Sequence, residues 1–160
     1  MAGKRDQALV PLSHDHHHAL VIAMLLRRAS DENAAGTSHA FLDFWKSDCS
    51  DHFRVEEEEL YPVFAAGQGA DNPLLLQALD DHAQIRAIAA SLEAGDQAGG
   101  EELNRLGEIL ATHVRLEERE IFPLVEQALP ADELAALGER IGAQRQPSGD
   151  RPQARDGATE

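Results

Sequence analysis

Eleven residues of the chain recur at a fixed offset of 61: His52-Phe53-Arg54-Val55-Glu56-Glu57-Glu58-Glu59-Leu60-Tyr61-Pro62 and His113-Val114-Arg115-Leu116-Glu117-Glu118-Arg119-Glu120-Ile121-Phe122-Pro123. The same offset pairs Trp45 with Leu106, Cys49 with Leu110 and Val63 with Leu124. Steps of three and four residues place Trp45, Cys49, His52, Glu56, Leu60 and Val63 on one face of a helix. Leu106, Leu110, His113, Glu117, Ile121 and Leu124 take the same places on another. Each apolar seam is interrupted at its middle by a His and a Glu. At i and i+4 their Cβ atoms stand about 5–6 Å apart, so each pair can converge on one point. A fold that buries both seams must also compensate two buried carboxylates.

Between these copies the chain is written in helix formers. Short alternating runs of β-branched and aromatic residues are missing, and Leu, Ala, Glu, Gln and Arg fill every long segment. Punctuation falls at Gly36-Thr37-Ser38, at Gly67 to Pro73, at Gly95 to Gly100 and at Pro130. It predicts helices near 12–33, 38–65, 73–94 and 101–128, with Asn72 as cap and Pro73 at the first helical position of the third. A short fifth helix is expected near 131–142. The segment Gln146 to Glu160 has no apolar residue larger than Ala and is expected to be a disordered tail. With 160 residues, 42% of them hydrophobic, residues 1–145 can form one ordinary core. The expected fold is all-α, an up-down-up-down four-helix bundle with a short C-terminal helix.

The third helix repeats the anomaly of the duplicated pair. Its stripe Leu75, Leu79, His82, Ile85, Ala89, Leu92 carries a lone His where an apolar residue is expected. On the first helix the face of Leu12, Leu20, Ala23 and Leu26 passes through His16, whereas the face through His17 carries Ser13 and Arg28. With eight histidines and 16 glutamates, about one accidental His-x-x-x-Glu is expected. Two of them, each followed by Glu-x-x-[Leu/Ile]-aromatic-Pro and each centred on an apolar stripe, go beyond chance. A cation shared by two carboxylates and several imidazoles removes the burial cost, which makes His16, His52, Glu56, His82, His113 and Glu117 the candidate metal ligands. Imidazole plus carboxylate without thiolate suits Fe, Mn or Zn.

Other notable residues have plainer expectations. Glu57, Glu58 and Glu59 read as a solvated face, and His14, His17 and His18 as surface residues or spare ligands. His39 reads as having no functional role. Cys49, one turn from His52, reads as a buried neutral thiol. Pro62 and Pro123 each remove an intrahelical hydrogen bond and should kink their helices.

The 14 basic side chains face 29 acidic ones, a formal charge of −15, and no Lys/Arg cluster offsets it. Nucleic acid is therefore not an expected partner. One cysteine excludes a disulfide framework. With no apolar run near 18 residues and no signal-peptide pattern, a cytoplasmic location and no membrane partner are expected.

A His near the start of helix one, His-x-x-x-Glu on helices two and four, and one His on helix three resembles the hemerythrin-like, or HHE cation-binding, family over about residues 9–130. The resemblance implies a non-haem centre of two Fe ions, oxo-, hydroxo- or water-bridged, with His16, His52, His82 and His113 as terminal ligands and Glu56 and Glu117 as bridges. It implies a protein that binds O2, NO or peroxide in sensing, scavenging or buffering. The alternative is a di-iron enzyme with peroxide-dismutating or ferroxidase activity. Oxygen-carrying hemerythrins differ in helix four, where the bridging carboxylate is an Asp five residues after its His. They also supply a fifth His from a pair four apart on helix three, where this chain has Arg86 after His82 and Ala78 before it. Unless His14, His17 or His18 supplies the fifth nitrogen, one iron keeps an open or water-filled position.

Overall fold

Five helices make up the protein in the computed structural model, which describes residues 4–145, and no strand occurs among them. The first, α1, is Val10–Arg27. The second, α2, runs over 34–68 through α-helical segments Ala34–Phe44, Ser50–Val55 and Tyr61–Gln68, joined by single π turns at Trp45–Cys49 and Glu56–Leu60. Helix α3 is Pro73–Glu93, and α4 spans 100–128 with a π turn at Glu117–Ile121. Helix α5, Ala131–Gln144, follows Pro130. The segment read as a tail, 146–160, lies outside the described residues.

The first two helices meet earlier than the punctuation predicts. Helix α1 stops at Arg27, residues 28–33 form the link, and Gly36 lies inside α2. Two local features explain this. Asn104 of α4 donates to the carbonyls of Leu26, Arg27 and Ala29 at 2.9, 3.0 and 3.1 Å, closing the end of α1. The backbone N–H of Ser30 donates to Asn33 Oδ1 at 2.8 Å, a turn that competes with helix until Asn33 is passed. Asn72 behaves as the sequence indicates: its side chain accepts from the Leu74 N–H at 2.8 Å, and Pro73 opens α3.

Four inward positions also move by one residue, two of them beyond the π turns, where Phe64 and Val125 are buried and Val63 and Leu124 only partly so. Leu20 and Leu79 are 37% and 39% exposed, and Ala19 and Ala78 are buried instead. The inward stripes are thus Leu12, His16, Ala19, Ala23, Leu26 and Leu75, Ala78, His82, Ile85, Ala89, Leu92. An alanine on either side of the His level lets the helix backbones close up, and the bulkier leucines turn outward. Close approach is most extreme between α1 and α4. A Cβ on Gly107 would stand 2.7 Å from the Ala23 carbonyl oxygen and 2.9 Å from the Arg27 nitrogen, so only glycine fits there.

Neither proline ends its helix. The turn before each one is π-helical, with Tyr61 N–H bonded to the Glu56 carbonyl and Phe122 N–H to that of Glu117. Widening the helix by one residue relieves the clash that each proline ring would make with the carbonyl four residues back, so the distortion expected as a kink takes the form of a π turn. Both turns begin at an inward glutamate.

The core has two parts. One contains Ala19, Phe44, Cys49, Phe53, Ile85, Leu110 and Val114. The other contains Leu12, Val55, Leu60, Tyr61, Ala78, Ile121 and Phe122. On α1 and α3 the division falls at the inward His, and on α2 and α4 between the inward His and Glu, so a polar layer separates two apolar halves.

Candidate metal centre

All six residues singled out by the seam pattern lie in that layer. Glu56, Glu117 and His82 are fully buried, and His16, His52 and His113 nearly so. Their donor atoms form two groups, His16, His52, Glu56, Glu117 and Glu56, His82, His113, Glu117, each with all four atoms within 4.8 Å of one another. Both glutamates belong to both groups. His16 Nε2 is 3.0 Å from Glu117 Oε1, and His52 Nε2 is 3.0 Å from Glu56 Oε2. His82 Nε2 is 3.2 Å from Glu56 Oε1, and His113 Nε2 is 3.5 Å from Glu117 Oε1.

Every one of these imidazoles is held from behind. His52 Nδ1–H donates to Asp15 at 2.9 Å and His82 Nδ1–H to Glu57 at 2.6 Å. His113 Nδ1–H donates to Asp81 at 3.1 Å and His16 Nδ1–H to Glu118 at 2.6 Å. The four carboxylates form a closed circuit: α1 holds the His of α2, α2 that of α3, α3 that of α4, and α4 that of α1. Each sits next in sequence to an inward residue of its own helix (Asp15 before His16, Glu57 after Glu56, Asp81 before His82, Glu118 after Glu117). One residue is about 100° of helix, enough to turn from the bundle axis toward the neighbouring helix.

Three of the four carboxylates carry an arginine. Glu57 is bound at both oxygens by Arg86, at 2.7 and 2.9 Å. Arg145 donates to both oxygens of Asp15, at 2.6 and 3.1 Å, and Arg5 donates to Glu118 at 3.1 Å. Burial opposes ionisation of Asp15 and Glu57, but the His and Arg hydrogen bonds outweigh it and hold both at about 2. Asp81 accepts from Gln77 instead, at 2.9 Å.

With Nδ1–H committed outward, a neutral imidazole presents the lone pair of Nε2 inward. The Nε2 atoms of His82 and His113 face each other at 3.2 Å, and two lone pairs at that distance repel unless a proton or cation lies between them. Without a cation the carboxylates divide one charge. Burial and the neighbouring Glu117 raise Glu56 well above the ordinary carboxylate range. Glu117, although buried, is held ionised by His113 and His16. Burial lowers His16, yet hydrogen bonds to Glu117 and Glu118 carry it up to about 9. A cation at each donor group would replace this proton arrangement, so the residues present fit a metal site on their own chemistry.

The remaining histidines stay outside. His14 and His17 are exposed, the His39 side chain is 80% exposed, and His18 bonds to Asp48 at 2.7 Å. None of His14, His17 and His18 belongs to either donor group. Cys49 is buried and its thiol is pushed well up by burial and by Glu56, the neutral state expected of it.

The chain matches the family described as Hemerythrin HHE cation binding domain over residues 9–125. It belongs to that family. Comparison with curated proteins and with solved structures gives no match.

Within this hemerythrin-family chain, several residues at the centre escape a reading by stripes. Of the tract Glu57–Glu59, expected as a solvated face, Glu58 is exposed, whereas Glu57 and Glu59 are corrections. Glu57 bonds His82 and Arg86, and Glu59 bonds Arg140 and Gln144 of α5 at 2.9 and 3.0 Å. In the sequence Tyr61 stands out only as part of the repeated motif. Its buried hydroxyl donates to Glu117 and lies 3.4 Å from Glu56 Oε1 and 3.2 Å from His82 Nε2. Burial and the two glutamates keep that phenol protonated. The repeat held a clue to half of the circuit, since Glu57 and Glu118 occupy the same place in the two copies.

Proposed function

We propose that the chain is a di-iron protein that binds O2, NO or peroxide, with His16, His52, His82 and His113 as terminal ligands and Glu56 and Glu117 shared between the two irons. The observation that carries this is the pair of four-donor groups with both glutamates in common. Because both carboxylates belong to both groups, two adjacent cations would draw on the same pair of glutamates, and each would have just two imidazoles of its own. Four donors leave positions free for a small ligand. Bound iron would supply reversible electron transfer to that ligand. The chain's own residues fix the imidazoles through the carboxylate circuit, keep bulk water away with the two apolar halves, and hold a proton on Tyr61 beside Glu117.

Metal analysis of aerobically purified protein tests this. Close to two irons per chain are expected, and none in the Glu56→Ala/Glu117→Ala double variant. Stoichiometric zinc from cells grown with ample iron overturns it.

The enzymatic reading has the same open positions in its favour. It predicts steady oxygen release from added peroxide, lost in His113→Ala, whereas passive binding gives a single stoichiometric uptake.

A further inference from the structure

Of the three π turns, only Trp45–Cys49 has no proline after it to account for it. Its Asp48 and Cys49, with the preceding Phe44, form one wall of a cavity of about 310 Å³, counting space open to solvent at the mouth. The cavity reaches inward to His16, His52 and His113. Its interior is so narrow that about one water-sized molecule fits at a time. Apart from the histidines, Asp15 behind His52 and Asp48, the lining is apolar: Ala19, Phe44, Phe53, Leu110 and Val114, with Cys49. At the rim, His18 bonds Asp48 at 2.7 Å and sets its ring edge-on to Phe44, 5.1 Å between centroids.

We infer that this cavity is the route by which a neutral diatomic molecule reaches the centre, and that Ala19 and Val114 set its size limit. The inference rests on the reading of the centre given above and narrows its ligand class. An anion such as azide would have to shed its hydration among apolar side chains, which is costly, whereas NO or O2 loses little. Ala19 lies one turn beyond His16 on the same inward stripe, so any larger side chain there projects into the passage.

Two measurements test it in opposing variants, Ala19→Leu to narrow the passage and Val114→Ala to widen it. In iron-loaded protein, stopped-flow association of NO should slow at least tenfold in Ala19→Leu. In Val114→Ala, azide association should accelerate more than that of NO, with iron content unchanged in both. The second measurement needs no metal. Cys49 is the single cysteine and lines the passage, so methyl methanethiosulfonate should label it in the native chain far faster than the bulky Ellman reagent. Ala19→Leu should slow the small reagent at least tenfold. Rates of labelling and of NO association that ignore Ala19→Leu overturn the proposal and make the cavity a packing void. A wild-type chain that takes up no iron refutes the reading of the centre instead, and the labelling rates then decide the passage alone.

Discussion

Arg145, at the C-terminal end of α5, donates to both oxygens of Asp15 on α1, at 2.6 and 3.1 Å, and Asp15 in turn accepts from His52. The fifth helix therefore reaches the centre through one intervening carboxylate. Removing Arg145 leaves Asp15 free to turn toward solvent and releases the His52 ring from its fixed orientation. Loss of such a partner typically costs 10- to 100-fold in metal affinity. Arg145→Ala and Asp15→Asn should each weaken iron binding by about tenfold or more in a competition titration against a chelator. Arg145→Lys should recover part of the loss. An affinity unchanged in both variants would mean that His52 is oriented by packing against Phe53 alone.

How much of this was legible follows from what each signal measures. Helical period reports radial direction, so the six residues pointing at the axis could be named from the stripes. It does not report which neighbouring helix a flanking residue meets, and the circuit of Asp15, Glu57, Asp81 and Glu118 depends on that. Arg5 and Arg145 lie more than a hundred residues from Glu118 and Asp15 respectively, so no local pattern links them. The end of α1 was misplaced for a similar reason: the side chain closing it, Asn104, comes from α4. Gly36 was a true breaker by composition but lay where Asn33 had already turned the chain.

Tyr61 gives a prediction about tuning rather than holding. Its hydroxyl contacts three of the six candidate ligands, and burial with the two glutamates keeps it protonated. Tyr61→Phe removes one hydrogen bond to Glu117 and leaves all six donors. Iron content should stay near the wild-type value while the visible absorption and the ligand dissociation rate change. Loss of iron from this variant would instead make the hydroxyl a ligand in its own right.

The metal-free protein should be sensitive to acid and to base. Asp15 falls from 3.8 to about 2 and Glu57 from 4.5 to about 2, so their stabilisation is complete above the unfolded values and is lost as pH falls through about 2. For Asp15 this amounts to roughly 2 kcal/mol at most, before solvent screening. His16 has the opposite sign. Raised from 6.5 to about 9, it stabilises fully below 6.5 and loses this as pH rises through 9. Glu56, held well above 4.5 by burial and by Glu117, adds stabilisation that is lost as pH rises above 4.5. Melting of chelator-treated protein should therefore be highest near pH 4.5, with the acid limb shallower in Asp15→Asn. An acid limb identical in that variant would remove Asp15 from the account.

Gly107→Ala probes the contact of α1 with α4. The added methyl would stand 2.7 Å from the Ala23 carbonyl, and both helices must part to admit it. Overpacking of this kind costs about 1–3 kcal/mol, against a gain in helix propensity of about 1. A net fall in melting temperature is expected. It should be larger in the iron-loaded protein, because separating α1 from α4 also moves His16 away from Glu117. A rise in melting temperature would show that the two backbones are not in fixed contact.

The last prediction separates His16 from its neighbours. His16 is 3% exposed and 3.0 Å from Glu117, while His17, about 100° further round the helix, is exposed. Ligand-linked stabilisation amounts to ~2.7 kcal/mol at a free metal concentration one hundred times the dissociation constant, enough to raise melting by several degrees. His16→Ala should lose most of that metal-dependent gain, because one donor group falls from four members to three and Glu118 is left without its imidazole. His17→Ala and His18→Ala should keep it. In metal-free protein His16→Ala also removes one of the two imidazoles that hold Glu117 ionised, so its melting temperature should fall there as well. If His17→Ala abolishes the gain and His16→Ala spares it, the assignment of His16 fails while the two glutamates keep theirs.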